Sequence, residues 1–215
     1  VEKFSNTAIP GYLPHAFFIE GGALGVENAL KVAFDWKVRK NMEKGKGEKG
    51  GKIIHFKHAF HGRTGYTLSL TNTSDPRKTM YFPKFDWPRI DIPKLSFPIT
   101  DIVLQEVEKN ERIAIDQIKT ALANNKDDVA ALIIEPIQGE GGDNHFRDEF
   151  FVALRQLCDE NEMLFILDEV QTGIGITGKW WAHQHFSIKP DIISFGKKTQ
   201  VCGLLAGKRV EEVEN

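Results

Sequence analysis

Lys197 directly follows the apolar run "DIISFG", and a partly desolvated lysine at a strand end can form an imine with an aldehyde. Asp168 ends a second apolar run, "LFILDE", so a buried strand delivers a carboxylate that needs a positive partner. Between these and the N-terminus lie three more polar clusters behind apolar runs: "EGGA" at 20–23, "HAFHGR" at 58–63 and "EPIQGEGG" at 135–142. Taken singly, each has an ordinary structural reading. An Asp-Glu pair caps a helix, adjacent lysines are solvated charge, Phe60 is core, Arg63 is a surface ion pair, and "GEGG" is a turn. Their occurrence at successive strand ends is what distinguishes them.

The elements that must position these residues follow from hydrophobic periodicity. "AFFIE" is a short strand, "GG" a turn, and "ALGVENALKVAFDWKVRKN" carries apolar positions at helical spacing. "KIIHF", "VAALIIEP", "LFILDE" and "DIISFG" are buried strands, with "DIISFG" expected as the last. "TDIVLQEVEKNERIAIDQIKTALANNKD" and "DEFFVALRQLCDENE" are amphipathic helices. Prolines 76, 83, 88, 93 and 98 exclude long regular elements from 73 to 100, and "EKGKGEKGG" at 43–51 is a solvated loop. Strands alternating with helices predict an α/β fold with a mainly parallel central sheet, whose ligands sit beyond the carboxyl ends of the strands.

Composition narrows the chemistry. With 28 basic and 30 acidic residues in 215, the net charge of −2 gives no basic surface for nucleic acid or anionic membrane. No apolar run is long enough to span a bilayer and the first residues lack a signal-peptide pattern, so a cytoplasmic location is expected. Cys158 and Cys202 have no partner spacing and are expected as free thiols. No metal is expected: "HAFH" lacks a third ligand. "EGGALG" lacks the GxGxxG or P-loop pattern of a nucleotide-binding domain.

Pyridoxal 5'-phosphate would engage all of the clusters. Its aldehyde suits Lys197, and its phosphate suits the backbone N–H groups of "GGA" at a helix N-terminus. Its ring could stack on Phe60, and its ring nitrogen needs the carboxylate of Asp168.

"EPIQGEGG", "LFILDEVQTGIGITG" and "PDIISFGKK" resemble, in order and spacing, the motifs of class III, or ω-amino-acid, PLP-dependent aminotransferases of fold type I. Ile176 stands where that family typically has arginine, and "GKKTQVCG" replaces a glycine-rich run. These departures, with "EGGALGVENALK", "AFHGRTGYTLSLTNT" and "FPKFDWPRID", resemble the subgroup of L-lysine 6-aminotransferases.

The resemblance implies that Lys197 is the catalytic Schiff-base lysine and proton shuttle, with adjacent Lys198 as its rival. It implies that Asp168 pairs with the pyridinium and that Gly22 and Ala23 hold the phosphate. Phe60 would stack on the ring, and Gln171 would sit near the cofactor oxygen and the substrate. Arg63 would hold a substrate carboxylate, and Glu140 would pair with a second arginine that this chain does not contain and move aside for a dicarboxylate. The implied reaction moves the ε-amino group of L-lysine to 2-oxoglutarate in a homodimer. Residues 1–215 would be part of the large PLP-binding domain, without its N-terminal segment and the C-terminal small domain. The alternatives are another class III ω-aminotransferase acting on ornithine, 4-aminobutyrate or a diamine, and a non-catalytic fragment that binds the cofactor or a dimer partner.

Overall fold

A computed structural model describes residues 1–214; Asn215, the last residue of the expected domain, lies outside them. In chain order the elements are α1 (Glu2–Thr7), β1 (His15–Ile19), α2 (Gly22–Glu43), β2 (Lys52–Phe56), α3 (Thr67–Leu70), β3 (Arg89–Ile90) and α4 (Asp101–Asn124). β4 (Val129–Ile134), α5 (Asp148–Glu160), β5 (Leu164–Asp168), β6 (Ile192–Phe195) and β7 (Cys202–Ala206) complete them. The strands form one sheet in the order β1-β7-β6-β5-β4-β2-β3. Every neighbouring pair is parallel except those made by β7, which runs antiparallel to both β1 and β6. The sheet is therefore mainly parallel, as its continuous apolar strands require.

Residues in β4 and β5 are buried along their whole length because helices cover both faces. Alternate side chains feed two cores. Ile133, Leu164 and Ile166 pack with Val26, Ala29 and Trp36 of α2, whereas Leu132, Phe165 and Leu167 pack with Ile118 of α4 and Phe150 and Leu154 of α5. α4 begins where the Thr100 hydroxyl accepts the Val103 N–H at 3.3 Å. The proline-rich stretch holds only the two-residue β3 and a short 3₁₀ turn at Pro76–Lys78.

"DIISFG" is not the last strand. β7 follows it after one 3₁₀ turn and inserts between β6 and β1, a position available because Gly203 lets the backbones close. A Cβ there would lie 2.1 Å from the Phe17 carbonyl oxygen. β1 becomes an edge strand, which explains why three of its five residues remain exposed.

Candidate active site

Because β1, β2, β4, β5 and β6 run in one direction, the segments that follow them share one rim. They enclose a cavity of about 460 Å³ lined by residues from all five, and by Cys202 at the start of the antiparallel β7. Gly22, Ala23, Phe60, Arg63, Asp168, Gln171 and Lys197 all line it. Glu140 does not; it stands outside, in contact with the ammonium of Lys78.

Each wall has a local cause. α2 starts after Gly21, whose φ of 95° turns the chain from β1 into the helix, and no side chain caps it. Its first-turn N–H groups at Gly22 and Ala23 carry the positive end of the helix dipole into the cavity. The loop 58–63 passes tightly against that turn: at Gly62, φ 114°, a Cβ would lie 2.4 Å from the Ala23 Cβ. Phe60 leaves this loop half-buried, and its N–H donates to Glu135 Oε1 at 2.9 Å.

Asp168 is almost fully buried, and its two oxygens are differently occupied. Oδ1 accepts the Ser194 hydroxyl at 2.8 Å and the Val170 N–H at 3.1 Å, while Oδ2 lies 2.8 Å from His61 Nδ1. Burial alone would drive the His61 imidazole towards neutrality, but the hydrogen bond and charge of Asp168 outweigh it, so its pKa is raised. Glu135 is buried beside this pair. Desolvation pushes its pKa up to about 7, assisted by the charge of Asp168 and opposed by His61. Glu169 turns away from the cavity instead. It accepts the N–H groups of Ala182 and His183 at 2.7 and 2.9 Å and pins the turn after β5.

Lys197 leaves β6 in a left-handed conformation, φ 50°, and its Nζ donates to Gln171 Oε1 at 2.8 Å. Gly139 leaves room for the Gln171 side chain, since a Cβ there would lie 2.3 Å from its Nε2. Lys198 donates to the Gln171 backbone carbonyl and does not line the cavity; burial lowers its pKa. The Arg63 guanidinium is anchored by its Nε, which donates to the Lys78 carbonyl at 3.1 Å.

Sequence reasoning missed His61, Glu135, Ser194 and Cys202. The first two stood inside motifs singled out for their neighbours, Phe60 and Glu140. Ser194 and Cys202 become recognisable only when β6 and β7 lie side by side. Together the walls offer an amine, a buried carboxylate, an aromatic face and a helix N-terminus. That set suits a flat, phosphate-bearing aldehyde with a ring nitrogen that can carry a proton.

Comparison with known proteins agrees. The model of the family "Aminotransferase class-III" matches residues 1–212. The L-lysine-epsilon aminotransferase of Mycobacterium tuberculosis is 54% identical over 99% of this chain and 47% of its own length. That of Amycolatopsis lactamdurans is 51% identical over 100% of this chain and 47% of its own length. A solved structure of lysine aminotransferase from M. tuberculosis superposes with a TM-score of 0.94 at 53% identity, over 98% of this chain and 48% of that one. The chain thus spans about half the length of the curated relatives it matches, and it has the fold of PLP-dependent transferases. With the family match covering nearly the whole sequence and the parallel sheet delivering its motifs to one rim, this chain belongs to the class III aminotransferases.

Proposed function

We propose that residues 1–215 are part of the large cofactor domain of a pyridoxal 5'-phosphate-dependent aminotransferase. The reaction would move the ε-amino group of L-lysine to 2-oxoglutarate, giving 2-aminoadipate 6-semialdehyde and L-glutamate. The observation that carries the reading is the convergence of Lys197, Asp168, Phe60 and the α2 N-terminus on one cavity. High identity to lysine aminotransferases over the whole chain supports lysine as donor. The same proposal makes the protein a cytoplasmic homodimer, with exposed Tyr81, Phe82 and Phe85 offering apolar contact surface.

When bound, the cofactor supplies an electrophilic carbonyl and an electron sink. The chain does the rest. Asp168, oriented by His61 and Ser194, holds a proton at the ring nitrogen, and the first turn of α2 binds the phosphate. Phe60 confines the ring. Lys197 Nζ, oriented by Gln171, takes a proton from the substrate carbon and returns it on the way to product. Arg63 binds the substrate carboxylate as a planar fork.

Borohydride reduction of the chain mixed with pyridoxal phosphate, followed by peptide mass analysis, tests the site. The expected product is a pyridoxyl group on Lys197 alone, lost in Lys197→Ala. Label spread over surface lysines would refute the assignment. Comparing L-lysine with ornithine and 4-aminobutyrate as donors to 2-oxoglutarate, in a form extended to the relatives' length, tests the substrate. A higher kcat/KM for either rival would displace lysine.

A further inference from the structure

Glu135 lines the cavity with Phe60, His61 and Asp168 and has no task in the chemistry above. It follows β4, is 4% exposed, and accepts the Phe60 N–H at 2.9 Å and the Gly139 N–H, so its carboxyl is fixed from two sides. The neighbouring His61 ring places Nδ1 2.8 Å from Asp168 Oδ2, while its Nε2 is buried and finds no partner among the described residues. Three titratable groups, from the end of β4, the 58–63 loop and the end of β5, thus share one desolvated wall. With His61 protonated and Asp168 ionised, that pair carries no net charge, and burial keeps Glu135 protonated up to about pH 7. Around them His55 of β2 is neutral, and the cavity's other cations, Arg63 and Lys197, donate to the Lys78 carbonyl and the Gln171 amide oxygen. The wall is therefore balanced as it stands. A protonated ring nitrogen at Asp168 would add one positive charge to it. To answer, His61 would have to give up the charge that its bond to Asp168 sustains, whereas Glu135 need only return to the ordinary carboxylate range.

We infer that Glu135 is a positioning residue for the cofactor ring: it releases its proton to solvent when a protonated ring nitrogen pairs with Asp168, and its charge then keeps His61 and Asp168 in their charged forms. Ring binding and ionisation of Glu135 are one linked event, and each favours the other by the same factor. Glu135 acts through His61 and Asp168 without touching the reacting atoms. The inference rests on the aminotransferase reading for the ring that Asp168 receives.

The test follows the Glu135 carboxyl by NMR in the chain labelled with carbon-13 at the glutamate carboxyls, the resonance being assigned by its loss in Glu135→Gln. It should titrate near pH 7 in the free chain and about one pH unit lower with pyridoxamine 5'-phosphate bound. Inorganic phosphate, which engages the α2 N-terminus alone, should leave it in place. A fall of that size means release of about half a proton on binding at about pH 6.5 and almost none at about pH 8.5, which calorimetry in two buffers of different protonation enthalpy counts. Glu135→Gln should lack that half proton; protons lost by the ligand's own phosphate are common to both proteins and cancel. The two proteins should bind the ligand alike at about pH 5, and wild type about tenfold more tightly at about pH 8. A merely structural carboxyl would instead change affinity equally at every pH. An unchanged Glu135 titration, an equal shift with inorganic phosphate, or equal proton release from both proteins overturns the inference. Tight binding of pyridoxamine phosphate with any of these results sinks the inference alone, whereas failure of the ligand to bind sinks the aminotransferase site with it.

Discussion

Two buried groups that feel the charge of His61 have pKa values shifted in opposite directions. Glu135 is held protonated up to about pH 7 by burial, whereas burial and the nearby Arg89 charge hold His55 neutral down to about pH 3. Between the unfolded carboxylate value of about 4.5 and pH 7, the unfolded chain has lost a proton at Glu135 that the folded chain keeps, so stability falls as pH rises. Between about pH 3 and the unfolded imidazole value of about 6.5, the unfolded chain binds a proton at His55 that the folded chain refuses, so stability rises with pH. The two slopes cancel from about pH 4.5 to 6.5. Glu135→Gln keeps an acceptor for the Phe60 N–H and removes one slope. Its stability is expected to climb by about 2 kcal/mol across that window while wild type changes little from these two groups. Urea denaturation of both proteins at pH 4.5 and 6.5 measures this, and parallel pH dependence would refute it. Asp168 itself was legible from sequence because a carboxylate ending four apolar residues demands a partner. Its imidazole was not, because His61 lies 107 residues away and its own motif pointed to Phe60.

At the scale of elements, the strands with unbroken apolar runs were readable, and with them the rim that carries the site. β7 was not. "CGLLA" is short, it sits directly behind a motif whose lysines draw attention, and its identity depends on pairing with β1, far away in sequence. Yet β7 fixes the height of α2. Gly25 of α2 meets Gly203 of β7 so closely that a Cβ at Gly25 would lie 2.8 Å from the Gly203 carbonyl oxygen. Gly25→Ala gains about 1 kcal/mol of helix propensity but forces α2 off the sheet, with overpacking costing about 1–3 kcal/mol. The expected result is a lower urea midpoint and, because the same helix presents Gly22 and Ala23, a several-fold weaker hold on pyridoxal phosphate. A Gly25→Ala protein of higher stability and unchanged cofactor affinity would show that α2 is not positioned by this contact.

For the molecule as a whole, the cavity is assembled from residues as far apart as Gly22 and Cys202, and no two consecutive elements could form it alone. A ligand that fits it must therefore stabilise the entire sheet by mass action. Pyridoxamine 5'-phosphate, which has the ring and phosphate but no aldehyde, isolates this effect from covalent capture by Lys197. At one hundred times its dissociation constant it should contribute about 2.7 kcal/mol, which for a chain of this size corresponds to a rise of about 5–10 °C in Tm. Inorganic phosphate at the same concentration should give a small fraction of that, because it uses the α2 N-terminus but not Phe60 or Asp168. Asp168→Ala should reduce the pyridoxamine phosphate shift and leave the phosphate shift in place, since the proposed function pairs this carboxylate with the ring nitrogen and gives the phosphate to the helix. Equal shifts for the two ligands would mean that only the helix terminus binds, and the assembly of one site from five strand ends would fail as an account of this fold's purpose.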